Sequence, residues 1–134
     1  MTPFRTGVAL SLLAFSACAI GKSGKDLAIA TIPGGAQATV VSRGGAIAGE
    51  LVAVRDDGVV LSAQKQLSFF PFASLGGLTI GQMKGDYKLA AGERPSREKL
   101  DRLRLVSHFP QGLTPEVERR LLAQLGQTAI VTVQ

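Results

Sequence analysis

The sequence has little of the chemistry that metal centres and disulfide frameworks need. Cysteine occurs once in 134 residues, as Cys18, and histidine occurs once, as His108. A single cysteine excludes a disulfide within the chain and a zinc site built on several thiolates. A lone imidazole without cysteine neighbours rarely holds a metal ion. We therefore predict that the protein binds no metal and no cofactor.

Aromatic side chains are also few. They make up 5% of the chain, as six Phe and one Tyr with no Trp, while 46% of the residues are hydrophobic and 19% are charged. This composition is typical of a globular chain and argues against disorder. The core must be built from Val, Leu, Ile and Ala, and the 16 glycines indicate many tight turns. The length leaves room for one domain.

Acidic residues are outnumbered by basic ones. Ten Asp and Glu stand against 15 Lys and Arg, which gives a formal net charge of +5. Such an excess permits contact with anionic surfaces without requiring it. The bases cluster locally in residues 94–104. We interpret this cluster as the solvated face of a helix, and we keep Arg97 and Arg104 as candidate contacts for a partner.

The apolar run that is the natural candidate for a membrane-spanning segment lies at the N-terminus. Residues 1–5 carry one positive charge, and residues 6–17 (TGVALSLLAFSA) are uncharged and mostly apolar. This layout is typical of a secretory signal peptide. The run of about 15 residues up to Ile20 is too short for the ~30 Å hydrocarbon core of a bilayer, which disfavours a spanning helix.

The segment Phe15-Ser16-Ala17-Cys18 at the end of this run resembles a bacterial lipobox. In that family, small residues precede a cysteine that is lipidated and becomes the new N-terminus; Phe15 stands where the family usually has an aliphatic residue. The resemblance covers only the leader. It implies a signal peptide at 1–17, lipid attachment at Cys18, and a flexible tether over 18–26.

The same resemblance implies a place in the cell. The chain would be anchored in the cell envelope, facing the periplasm, and Ala19 after the cysteine goes with the outer membrane in enteric bacteria. A competing interpretation stays open, because Ala17-Cys18-Ala19 also fits ordinary signal peptidase. A cut after Ala19 would discard the thiol and leave a soluble secreted protein.

Residues 27–92 consist of short apolar segments separated by turn signals, which predicts a small β domain. We expect strands at 27–32, 36–42, 46–55, 59–63 and 67–72, with another short strand within 73–82. Pro71 confines its strand to an edge or a bulge, and Gly49 indicates a bulge or a sharp bend.

Asp57-Gly58 between two apolar runs predicts a hairpin with these residues in the loop. Arg55 then faces Val60, and Val54 faces Leu61. One sheet face would carry the core side chains, and the other would be half-exposed. The predicted core residues are Val52, Val54, Leu61 and Ala63, and the predicted half-exposed residues are Ala53, Arg55 and Ser62.

Residues 44–61 (GGAIAGELVAVRDDGVVL) resemble the Sm-like small barrels. The resemblance implies a five-stranded barrel or curled sheet and carries no function by itself. After Gly92 the pattern changes to two short helices and a C-terminal strand over 93–134, with N-caps at Ser96 and Thr114 and a stop at Gly126. The predicted fold class is therefore mainly β with α (α+β).

No catalytic constellation stands out in the sequence. We expect His108 to lie in a loop and cap the helix before it, because no carboxylate is near it in sequence. Phe69, Phe70 and Phe72 are expected to pack mostly inward, with Phe70 the first candidate for a partner contact if it is exposed.

We therefore predict a non-enzymatic envelope lipoprotein, tethered to the membrane by its N-terminal lipid, that binds an envelope protein or the cell wall. One alternative is an exported enzyme with dispersed catalytic residues. Another is an Sm-like nucleic-acid-binding protein, which requires an unprocessed leader and is otherwise not expected.

Overall fold

The longest strand, β2, lies at the centre of a seven-stranded sheet in the computed structural model, which describes residues 34–134. These residues belong to a compact unit spanning Pro33–Gln134. The strands are β1 (Gln37–Ser42), β2 (Gly45–Arg55), β3 (Gly58–Ala63), β4 (Gln66–Pro71), β5 (Gly77–Ile80), β6 (Lys88–Leu89) and β7 (Val131–Thr132). The helices are α1 (Arg97–Leu105) and α2 (Pro115–Leu125). The predictions for the signal peptide, Cys18, the tether and a strand at 27–32 lie outside the described residues.

The strand order is β6-β5-β1-β2-β3-β4-β7. Every neighbouring pair is antiparallel except β4 and β7, which run parallel. The predicted class, mainly β with α, is confirmed. β6 and β7 are the two outermost strands and do not pair with each other, so the described sheet is open. It does not form the closed barrel that the Sm-like resemblance implied as one possibility.

The predicted loop of the β2–β3 hairpin is wrong by one residue. Asp56 and Asp57 form the loop, and Arg55 pairs with Gly58. A Cβ at Gly58 would collide with the ring of Phe69 and the backbone of the next strand. Glycine is therefore needed there for close packing inside β3, which the turn signal could not reveal.

A bulge in β2 further changes which side chains share a face. The register with β3 shifts between Leu51 and Ala53, so Val52 is the extra residue. The predicted bulge at Gly49 is wrong, since the pairing runs through that residue unshifted. A Cβ at Gly49 would instead collide with the carbonyl oxygen of Ser62, so this glycine permits close approach of two backbones.

Both faces of the central strands are largely buried, so the expected half-exposed face is wrong for Ala53. Arg55 is exposed and Ser62 half-buried as expected, while Ala63, expected in the core, is only half-buried. Ala53, expected on that face, is 2% exposed. The first core lies on the face that α1 covers, with Leu51, Leu61 and Phe70 packed against Leu100 and Leu103. The second core lies on the other face, where Val52, Ala53, Val60, Leu67 and Phe69 pack against Leu122 of α2. Two helices on opposite faces explain the unbroken apolar runs.

The helix boundaries follow their capping residues. The hydroxyl of Ser96 accepts the Lys99 N–H at the start of α1. Thr114 does the same for Val117 in α2, and Gly126 ends that helix with φ +69° in the left-handed region. All three predicted caps are confirmed, because capping depends on the local chain alone.

The C-terminal segment covers the outer edge of β4. The side-chain amide of Gln127 accepts the Leu67 N–H (2.7 Å) and donates to the Leu67 carbonyl (3.2 Å). Further along, β7 pairs with Ser68 and Phe69. The predicted C-terminal strand is thus confirmed as a short one. On the opposite side, β6, which the sequence did not predict, pairs with β5. Each outer edge of the main antiparallel strands therefore has hydrogen-bond partners, which protects it from pairing with other chains.

Candidate functional site

A pocket of about 160 Å³ lies where the second core reaches the surface, between the sheet and α2. Its walls are largely apolar, and four of the lining residues are polar or charged. The residues that line it are Glu50, Val52, Ser62, Leu67, His108, Phe109, Leu121, Gln124 and Leu125. A titratable pair, Glu50 and His108, adjoins its apolar walls.

The strand register brings two of the polar residues together. Glu50 of β2 lies directly opposite Ser62 of β3. Directly paired residues of antiparallel strands project from the same face of the sheet. The next pair along, Leu51 and Leu61, is buried in the first core on the opposite face. Alternation along the strands thus places Glu50 and Ser62 on the side that α2 covers.

The linker between the two helices delivers His108 to the same place. The main-chain N–H groups of His108 and Phe109 donate to the carbonyls of Leu51 and Val52, each at 2.9 Å. These carbonyls flank the start of the bulge, where the ladder with β3 is interrupted. The bulge therefore supplies the acceptors that hold the linker against β2.

The His108 ring forms a close pair with Glu50. Its Nδ1 lies 2.5 Å from Glu50 Oε1, and the same oxygen accepts the Gly35 N–H at 2.8 Å. The ring also stacks on Phe109, with centroids 4.2 Å apart. The Glu50 carboxylate thereby joins three segments that are distant in sequence: the residues before β1, strand β2 and the linker between the helices.

The pairing fixes the chemistry that the ring can offer. An ionised carboxylate only accepts hydrogen bonds, so the proton of the shared bond belongs to His108 Nδ1. In the neutral imidazole, Nε2 is then an acceptor. Both side chains are 29% exposed, so solutes can reach them. With the ring neutral, the site can therefore accept a hydrogen bond from a ligand at Nε2.

The expectation that His108 caps α1 is wrong. Ser107 performs that task, since its hydroxyl donates to the Arg104 carbonyl at 2.7 Å. Glu50 lies 58 residues from His108 in sequence, so no local pattern could have paired them. The available signal was a charged residue within the apolar strand 46–55, since a partly buried carboxylate needs partners.

Phe70 was proposed as a partner contact only if it is exposed, and it is buried. Its side chain is 1% exposed and packs in the first core, whereas Phe69 packs in the second. Consecutive strand residues point to opposite faces, and here both faces are covered. Phe72 is buried in the first core as well. The three phenylalanines are core residues, as the inward-packing interpretation expected for most of them.

Arg104 is held by structural contacts. Its guanidinium donates to Asp56 Oδ1 (2.6 Å), to Asp101 Oδ1 (3.1 Å) and to the Val54 carbonyl (3.3 Å). It thereby ties α1 to the β2–β3 turn, and its side chain is 27% exposed. These contacts give it a structural role, and the partner contact stays a prediction. Arg97, at the start of the same helix, is exposed.

A wider pocket of about 460 Å³ lies beside the β2–β3 turn, lined by Asp56, Asp57, Phe72, Ala73, Gly92, Glu93 and Arg94. Two of its three carboxylates have cationic partners, because Asp56 pairs with Arg104 and Glu93 with Lys99. Arg94 adds a further cation to its lining, so its charges are mixed.

Residues 34–134 contain no group of three His, Cys, Asp or Glu side chains placed to hold a metal ion. No helix within this range is long and apolar enough to cross a membrane. Cys18 lies outside the described residues. Comparison of the chain with protein-family models, with curated proteins and with solved structures gives no match.

Proposed function

We propose that the protein is an envelope lipoprotein in which Cys18 carries the lipid and the domain that begins at Pro33 is a non-enzymatic binding module facing the periplasm. The single observation that carries the proposal is the order of features along the chain. An apolar leader ends in Phe15-Ser16-Ala17-Cys18, and a Gly- and Ser-containing polar stretch follows it. Further along the chain, Pro33–Gln134 form a compact unit.

This order suits a tethered domain. Burial of acyl chains contributes about 0.8 kcal/mol per CH₂, so two or more chains anchor a protein stably. In this proposal the polar stretch 18–26 is the tether, and the anchored domain binds a protein or the cell wall. The outer membrane is the proposed location, and the open pocket at Glu50 is the proposed binding site.

Radiolabelled palmitate in growing cells tests the anchor. The wild-type chain should incorporate label and sediment with the membranes, and outer-membrane density should distinguish the two membranes. Cys18→Ala should carry no label, because the thiol that accepts the lipid is gone. Ser16→Ala is the matched control, since it keeps a small residue before the cysteine and should be labelled like the wild type.

Three results would decide against the proposal. Equal labelling of the wild type and Cys18→Ala would show that the lipid is elsewhere. A soluble periplasmic chain that has lost Cys18 would favour ordinary signal peptidase and the secreted alternative. A cytoplasmic chain that still begins at Met1 would favour the Sm-like nucleic-acid binder.

A second candidate, an exported enzyme of the serine-nucleophile class, is favoured by one specific observation. Ser62, His108 and Glu50 line the same pocket, with the imidazole paired to the carboxylate through Nδ1. In this scheme Nε2 would take the proton of the serine hydroxyl during attack, and Glu50 would stabilise the imidazolium.

A fluorophosphonate probe separates the two candidates. An enzyme would be labelled at Ser62, and the label would be lost in Ser62→Ala and strongly reduced in His108→Ala. Ser74→Ala is a suitable control because Ser74 lies in the turn after β4 and its hydroxyl donates to the Pro71 carbonyl. A wild-type chain that stays unlabelled supports the binding module.

A further inference from the structure

We propose that the pocket at Glu50 and His108 binds a primary ammonium group carried on an apolar stem no larger than one six-membered ring. The inference rests on the proposed role of the domain as a binding module and names the chemical class of its ligand. It is argued from the size of the pocket, the character of its walls and the hydrogen-bonding groups among its lining residues.

The size of the pocket limits the apolar part of the ligand. Its volume is about 160 Å³. An apolar protein cavity of about 150 Å³ is large enough to hold one benzene molecule. The apolar walls come from both sides, with Val52 and Leu67 on the sheet, Leu121 and Leu125 on α2, and Phe109 on the linker. A ring or a short aliphatic stem fills such a space, whereas a larger ring system exceeds it.

The charge of the lining selects a cation. Among the residues of 34–134 that line the pocket, Glu50 is the one carboxylate, and there is no lysine or arginine. Its Oε1 is already used by Gly35 and His108, which leaves the lone pairs of Oε2. With the His108 ring neutral, Glu50 gives this lining a net negative charge, which favours a ligand cation and repels an anion.

The hydrogen-bonding groups select an ammonium over other cations. The lining residues include Glu50 with its Oε2, the neutral His108 ring with its Nε2 and Ser62 with its hydroxyl, and each of these atoms can accept a hydrogen bond. A primary ammonium has three donors and no acceptor, so it matches this set. A guanidinium carries five donors in a fixed planar fork, which exceeds the three acceptor groups named here. The short stem then lies along the apolar walls.

Methyl NMR of the full-length chain in detergent micelles tests the proposal, with benzylamine as the probe and benzyl alcohol as its uncharged analogue. Benzylamine should shift the methyl signals of Leu67 and Leu125 saturably in the wild type. Glu50→Gln keeps the side-chain size and an oxygen acceptor for Gly35 while removing the charge. It should weaken benzylamine about tenfold or more and leave benzyl alcohol unchanged. Glu98→Gln, on the exposed side of α1, is the matched control and should bind both probes normally.

Two further measurements keep the test decisive if Glu50→Gln loses its fold, which the methyl signals of Leu78 and Leu103 in the first core would report. In the wild type, benzoate should bind at least tenfold more weakly than benzylamine. Ser62→Leu should abolish binding of benzylamine and benzyl alcohol alike, because the added side chain fills the pocket.

The proposal is overturned if benzylamine produces no saturable shift, if Glu50→Gln binds it as tightly as the wild type, or if benzoate binds equally well. These outcomes are independent of the palmitate experiment. Labelling concerns Cys18 and the location of the chain, whereas probe binding is measured on purified protein whatever its anchor.

Discussion

The side-chain amide of Gln127 takes the place of a neighbouring strand at the edge of β4, and its removal should destabilise the protein measurably. Both of its hydrogen bonds reach the main chain of Leu67, which is buried. A hydrogen bond contributes about 0.5–1.5 kcal/mol net, so Gln127→Ala should lower the free energy of unfolding by about 1–3 kcal/mol. Urea unfolding of the full-length chain, followed by far-ultraviolet circular dichroism, measures this difference. Gln111→Ala, at an exposed position in the linker, is the control and should change stability by less than about 0.5 kcal/mol.

The glutamate variant tests the mechanism itself. In Gln127→Glu, the carboxylate still accepts the Leu67 N–H but cannot donate to the Leu67 carbonyl, and it brings two acceptors together. Gln127→Glu should therefore be at least as unstable as Gln127→Ala at neutral pH, and both should scatter more light because part of the β4 edge is freed. A glutamate variant as stable as the wild type, or an alanine variant equal to Gln111→Ala, would refute the edge-capping role.

Two further substitutions test the reassigned residues by the same urea assay. Phe70→Ala should cost about 3–5 kcal/mol, because a fully buried aromatic ring is removed from the first core; a loss below about 1 kcal/mol would contradict its core assignment. Arg104→Ala should cost about 1–2 kcal/mol through its lost contacts to Asp56, Asp101 and Val54, and Arg104→Lys should not restore them because an ammonium lacks the planar fork. Arg97→Ala should be nearly neutral, and equal effects at both arginines would argue against the tie between α1 and the turn.

Local signals identified the helices well and the strands approximately. Ser96, Thr114 and Gly126 cap the helices as their residue types predict, because a cap depends on a side chain and a few neighbouring N–H or carbonyl groups. The bounds of β1 to β5 were predicted within a few residues, because a short apolar run between two turn signals is typical of a buried strand. The hairpin between β3 and β4 shows where residue type fails. Its turn residues Gln64 and Lys65 both adopt positive φ, a conformation that their residue types disfavour. The pairing of the two strands through a two-residue loop imposes it.

The site required information that no local pattern carries. Glu50 is a charged residue in an apolar strand, His108 a lone histidine after a helix, and Ser62 an ordinary strand serine. They share one pocket because the bulge at Val52 leaves carbonyls that bind the helix linker, and because the register pairs Glu50 with Ser62. Side chains that looked exposed from alternation, such as Ala53, are buried because a helix lies on each face of the sheet.

The sequence by itself determined the class of the fold, the helix ends and the features of the leader on which the proposed anchor rests, since each of these depends on neighbouring residues. Only the tertiary structure decided the hairpin register, the burial of Phe70, the structural role of Arg104 and the meeting of Glu50 with His108. These depend on contacts between segments far apart in the chain, where packing and hydrogen-bond satisfaction outweigh the preference of any single residue.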